Sequence, residues 1–199
     1  MKKLRLNIVF ITIFFFINLL SNSFANISSN FIDDITERAS NILSSEDTRD
    51  AKIQKLIKIG ESSVDIDGIG LYTLGKHRKN LNDDQKDDFK KIFREYFLKS
   101  FSTRLVEYKE AKIVVISEDI KNEKYTIVKS KLLATSSRPE VAIDWRVYTK
   151  DPSKPLIRDL IIEGLSLART QREEFNSIIV NNNGDINALF TSLKEFVDK

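Results

Sequence analysis

Between residues 85 and 101 apolar side chains return every three to four positions. Phe89, Phe93, Phe97 and Phe101 form one row with Ile92, Tyr96 and Ser100 beside it, while Lys86, Asp87, Lys90, Lys91, Arg94 and Lys99 take the opposite side. That spacing predicts an amphipathic helix with one broad apolar face. Asn82 and Gln85, three residues apart, read as a cap and its reciprocal partner, so the helix starts there. Such a face either packs into a solid core or lines a cavity for an apolar ligand.

The same period runs through the chain before it. Phe31, Ile32, Ile35, Ala39, Ile42 and Leu43 predict a helix over 27–43. Ser45 or Asp47 can cap a second helix over 49–59, built on Ile53, Leu56, Ile57 and Ile59, with Gly60 as its stop. A short third helix over 68–74, entered through Val64 to Asp67, ends at Gly75.

After Tyr108 the period changes to two. Residues 112–117 are nearly all Ile and Val, and residues 125–133 alternate apolar side chains with Lys and Thr. Val141, Ile143, Trp145 and Val147 alternate with Ala142, Asp144, Arg146 and Tyr148, the pattern of a half-buried strand. A fourth strand is expected over 156–162, after a turn holding Pro152 and Pro155. The links at 119–124 and 136–139 are too short for crossovers, so neighbouring strands run antiparallel. Gly164 closes the sheet, Ser166 caps a helix reaching residue 181, and Asp185 caps a last helix. The fold class is α+β: an antiparallel sheet of at least four strands with N- and C-terminal helices packed on it. One domain over 26–199 is expected, helical over 27–105, sheet over 108–163 and helical again over 165–198.

The first 25 residues belong to none of this. Lys2, Lys3 and Arg5 precede an apolar run over 6–20, and Ser23 and Ala25 supply small residues before a cut. This is the layout of a cleaved secretory signal peptide, the run falling short of the roughly 20 residues that span a bilayer. Its loss changes the charge balance. Removing three basic residues takes 32 Lys and Arg down to 29, against 29 Asp and Glu, so the mature chain is formally neutral. Neutrality argues against a nucleic-acid binder, which needs a concentrated basic surface. The chain has no Cys, which excludes disulfides and thiolate metal sites.

Catalytic constellations are missing. His77, the sole histidine, lies in a basic run with Lys76, Arg78 and Lys79. The stretch from Asp65 to Gly70 begins like a calcium loop, but Ile69 and Lys76 fall where oxygen ligands belong. Gly68 and Gly70 imitate a dinucleotide fingerprint without the preceding strand or the third glycine. Asp83, Asp84, Asp87 and Asp88 read as a solvated first helical turn. The chain is therefore expected not to be an enzyme and to need no metal or cofactor.

Three stretches carry a family resemblance. Residues 159–175 read DLIIEGLSLARTQREEF; residues 64–75 read VDIDGIGLYTLG, followed by Asn82, Gln85, Phe89 and Tyr96; residues 141–146 read VAIDWR. Taken in chain order they resemble the MlaC-type proteins, periplasmic phospholipid-binding shuttles also called toluene-tolerance proteins. The chain departs from the family's pattern at Val64, at His77 to Lys79 and at Pro155. The resemblance implies an apolar pocket between sheet and helices that holds a phospholipid as cargo. It also implies the periplasm of a Gram-negative bacterium and a monomer. The implied partners are an inner-membrane ABC transporter with an MCE-domain ring and an outer-membrane lipoprotein–porin complex.

The implied cargo suits the composition. A 16-carbon tail left in water would cost on the order of 12 kcal/mol, so a carrier must enclose nearly all of it. By period, the Phe-bearing helix and the sheet face of Val141, Ile143, Trp145 and Val147 are expected to confront each other. The candidate lipid-binding residues are Phe93, Phe97, Phe101, Val128, Leu132, Ile143, Trp145, Val147, Ile162 and Leu165, each either lipid contact or solid core. Arg172 either pairs with Asp159 or Glu163 or meets a phosphate. The rival readings are a small-molecule enzyme or binder with polar groups converging near His77 or the Asp83–Asp88 cluster, and a filled envelope adaptor.

Overall fold

A computed structural model describes residues 27–108 and 111–199 of the chain. The leader expected over 1–25 lies outside the described residues. Helices α1 (Ile27–Ser44), α2 (Arg49–Ser63) and α3 (Ile66–Thr73) precede a 3-10 turn (Gly75–Asn80) and the long α4 (Asp83–Leu105). Strands β1 (Ile113–Asn122), β2 (Tyr125–Leu132), β3 (Val141–Tyr148), β4 (Leu156–Ile162) and β5 (Leu165–Ser166) follow, then α5 (Leu167–Asn181) and α6 (Ile186–Asp198). The sheet is an antiparallel meander in chain order, β1 to β5, as an α+β fold with short links requires.

Local chemistry sets most element ends. Asn82 and Gln85 form the capping box at the start of α4, and Thr48, Asp65, Ser166 and Asp185 cap α2, α3, α5 and α6. The cap of α2 is Thr48 rather than Ser45 or Asp47, and α3 starts at Ile66, two residues before the expected start. Two further boundaries differ from the sequence reading. α2 runs through Gly60 to Ser63, because the missing side chain lets α2 approach α4; a Cβ there would stand 3.0 Å from Leu98 Cδ2. β1 continues through Asp119 and Ile120, which pair with Ile127 and Thr126, so the turn shrinks to Glu123 and Lys124. Lys124 N–H donates to Asn122 Oδ1 at 2.9 Å, closing that turn from its side chain. The two-residue β5 was not foreseen; Glu163 (φ 49°) and Gly164 (φ 82°) form the hairpin loop before it.

The interior holds two cores. One is wholly helical: Phe89, Phe93 and Leu98 of α4 pack with Ile66, Leu74, Phe175, Ile179, Leu189 and Leu193. The other joins the sheet to α1, with Val128, Leu132, Ile143, Trp145, Val147 and Ile157 against Ile32 and Ile35. Val64 touches both, and Ile59 brings α2 to the second. Val64 also forms a parallel bridge with Ile157, and Asp65 N–H donates to the Ile157 carbonyl at 2.9 Å, pinning the α2–α3 joint to β4.

This arrangement corrects one expectation. The Phe row of α4 does not confront the sheet; its partners are α2, α3 and α6. Periodicity gives the width of an apolar face but not its partner, and the aromatic partners here lie at the far C-terminus. Phe89, Phe93, Phe97, Phe101, Phe175, Phe190, Phe196 and Tyr96 form one continuous ring network, with neighbouring centroids 5.0–6.2 Å apart.

Candidate functional site

The sheet presents two unlike faces, as the period-two pattern dictates. On one, Val128 pairs with Trp145, Ser130 with Ile143 and Thr126 with Val147, and all six are buried under α1. Trp145 Nε1–H donates to Ser130 Oγ at 2.8 Å, and that hydroxyl donates to the Ile143 carbonyl at 2.9 Å. The polar atoms in this apolar row are thus satisfied within it. Around its margin Phe31, Ala39, Ile42, Ala111, Ile113, Val115, Val141 and Leu160 are only half-buried. The seam between α1 and the sheet therefore has an apolar, incompletely closed rim.

The ten expected lipid-binding residues divide between the cores. Val128, Leu132, Ile143, Trp145 and Val147 come together on the α1-facing row, with half-buried Ile162 paired to Ile143. Phe93 is buried in the helical core, while Phe97 and Phe101 stack nearly parallel, 5.8 Å apart and half-buried. Leu165 stands at the sheet edge, 59% exposed.

The other sheet face is polar and ordered around Arg158. Its Nε donates to Asp65 Oδ2 at 2.5 Å, its Nη1 donates to Tyr125 Oη at 2.6 Å, and its guanidinium lies 3.9 Å from the Tyr148 ring centroid. Burial works against this cation, but hydrogen bonds to Asp65 and Tyr125 outweigh it, and the arginine pKa is raised above its ordinary value. Asp65 Oδ1 meanwhile accepts from Gly68 N–H at 3.0 Å, so one carboxylate both caps α3 and ties it to β4. Sequence reasoning missed this cluster. The available signal was Arg158 and Asp159 interrupting an otherwise apolar strand.

Asp159 is buried at the strand-to-helix corner, where it accepts from Ser166 Oγ at 2.6 Å and Ala168 N–H at 3.0 Å. Arg146 Nη1 approaches it to 3.9 Å, and Glu163 Oε1 accepts from Ala142 N–H at 2.5 Å. Arg172 therefore pairs with neither acid, contrary to one of its two expected roles. Its guanidinium lies 5.4 Å from the Tyr72 ring centroid.

Two clefts flank Tyr72. One, of about 480 Å³, lies between the 3-10 turn and α5, lined by Leu74, Gly75, Lys76, Arg169, Arg172 and Glu173 among others. The second, of about 450 Å³, lies between the polar sheet face and α3 and α5, where Lys121, Arg146, Arg158 and Asp159 meet Ile69 and Ile127. Neither is bordered by any of the ten residues above. Among the described residues no group of His, Asp and Glu is placed to hold a metal ion, and no helix is long and apolar enough to cross a membrane.

The fold has a solved counterpart. The phospholipid-binding protein of Ralstonia solanacearum, determined in complex with a phospholipid, superposes with a TM-score of 0.69 at 18% identity, over 87% of this chain and 96% of that one. No curated protein matches the sequence. The profile of the MlaC protein family aligns with residues 27–195, nearly the whole described chain, and the protein belongs to that family.

Proposed function

We propose that the protein is a non-catalytic phospholipid carrier of the periplasm. Its membership of the MlaC family carries this reading, supported by a shared fold with a protein solved around a phospholipid. On this reading residues 1–25 are a cleaved leader and 26–199 act as one lipid-binding domain and as a monomer. The carrier exchanges cargo between an outer-membrane lipoprotein–porin complex and an inner-membrane ABC transporter bearing an MCE-domain ring.

The acyl tails belong in the seam between α1 and the apolar sheet row, against Val128, Leu132, Ile143, Trp145, Val147 and Ile162. The half-buried rim supports this choice. A helix held on one side of a sheet can lift as a unit, whereas the ring network around Phe93 is locked by four helices. Phe93, Phe97 and Phe101 then act as the rigid wall against which α2 rests, and Leu165 lies outside the tail site. Lifting α1 exposes apolar surface at about 25 cal/mol per Å², and a tail worth on the order of 12 kcal/mol replaces that contact.

Solvent extraction and native mass spectrometry of protein purified from its own periplasm test the reading. One or more diacyl phospholipids per chain is the expected result. Protein that is repeatedly lipid-free, and that takes up none from donor vesicles, would overturn it.

A further inference from the structure

Several cations on the helical surface sit on acids: Arg38 on Asp34, Lys55 on Asp47, Lys86 on Asp83, Lys90 on Asp87 and Arg94 on Asp67. In the cleft between the 3-10 turn and α5, three cations without such partners converge. Lys76, Arg169 and Arg172 all line it, and among the described residues none of the three has a carboxylate within ion-pairing distance. Glu173 is the only acid on the wall, so the lining carries a net charge of +2. Arg169 and Arg172 stand three residues apart on one helix and so project on the same side.

Arg172 is placed by packing rather than by an acid. It lies over the Tyr72 ring, and its Nε presses on the bare backbone of Gly75, where a Cβ would come within 2.7 Å. Gly75 holds φ +55°, a conformation that disfavours any side chain, so the close approach is built into the turn. At the cleft's far side Asn176 has its amide oxygen 3.0 Å from His77 Nε2, which fixes that polar group too. Guanidinium forks without acid partners, held beside an ammonium in a cleft of about 480 Å³, suit a phosphate ester.

We propose that this cleft binds a phosphate-bearing anion through Lys76, Arg169 and Arg172. The site stands on its own geometry and not on the tail site in the seam. A phospholipid headgroup and a soluble phosphate share the chemistry it reads.

Isotope-labelled protein titrated with inorganic phosphate and, separately, with short-chain phosphatidylglycerol below its micelle concentration tests the site. The amide signals of Tyr72, Gly75 and Arg172 are expected to move in at least one titration. Movement with both means that phosphate alone suffices; with the lipid only, the headgroup is the source; with phosphate only, a soluble anion is. Replacing Lys76, Arg169 and Arg172 together by Gln is expected to weaken binding about tenfold. Glu173→Gln is expected to tighten it about two- to threefold, a gain that misfolding cannot mimic. No movement at these amides in either titration, or equal affinity in the triple variant, overturns the proposal. Phosphate binding by a protein that never holds lipid would retain this site and remove the carrier reading instead.

Discussion

Gly70 lies where α3 crosses α4, and a methyl group there would stand 2.7 Å from Phe93 Cδ1. Helix propensity favours alanine over glycine by about 1 kcal/mol. Overpacking a buried ring costs about 1–3 kcal/mol, so the clash wins at this position. Gly70→Ala is expected to lower unfolding stability by up to about 2 kcal/mol in a denaturant titration. Gly60→Ala, whose nearest neighbour is the side-chain tip of Leu98 at 3.0 Å, is expected to change it by less than about 0.5 kcal/mol. The pair separates close packing from backbone entropy. A second residue-scale test concerns Asp65, which caps α3 and holds Arg158 in a partly buried pair. Asp65→Ala and Arg158→Met combined in a double-mutant cycle are expected to show a coupling of about 1 kcal/mol, and additivity would mean that Asp65 acts through the cap alone.

At the scale of elements, what local chemistry controls was legible. Asn82, Ser166 and Asp185 announce helix starts because each side chain reaches the backbone two or three residues on. The alternation from Val141 to Tyr148 likewise states which sheet face is buried. Partnership was not legible, because it depends on residues far along the chain. Nothing in the spacing of Phe89 to Phe101 says that Phe175, Phe190 and Phe196 answer it, leaving α1 to cover the sheet. Gly60 misled for a related reason: the same residue type that ends a helix also permits two helices to touch. The division into two cores makes a measurable difference between helices. Removing lipid is expected to accelerate amide hydrogen exchange in α1 and β3 by at least about tenfold, with α4 unchanged within about twofold. Equal acceleration in α4 would place the tails in the helical core.

At the scale of the whole molecule, the polar and apolar faces of one sheet divide the labour. The α1 side offers an apolar row with its hydrogen bonds satisfied internally, and the opposite side walls one charged cleft, beyond which, across Tyr72, a second lies between the 3-10 turn and α5. The family resemblance was legible because its motifs occupy the joints that orient these faces: Val64 and Asp65 bridge to β4, and Asp159 and Ser166 turn the chain into α5. The convergence of Lys76 with Arg169 and Arg172 was not, because nearly a hundred residues separate the two segments.

Trp145 is the only tryptophan in the chain, and it stands in the middle of the row proposed to meet the tails. Its indole is 8% exposed and donates to Ser130 Oγ. The protein thus carries its own optical reporter. Emission from loaded protein is expected near the blue end of the tryptophan range, and stripping the cargo is expected to shift it by several nanometres as the indole's surroundings reorganise. A Phe97→Leu variant, altered only in the other core, keeps the same response. Loading and release then become visible in real time, in a mixture with vesicles, without attaching a dye.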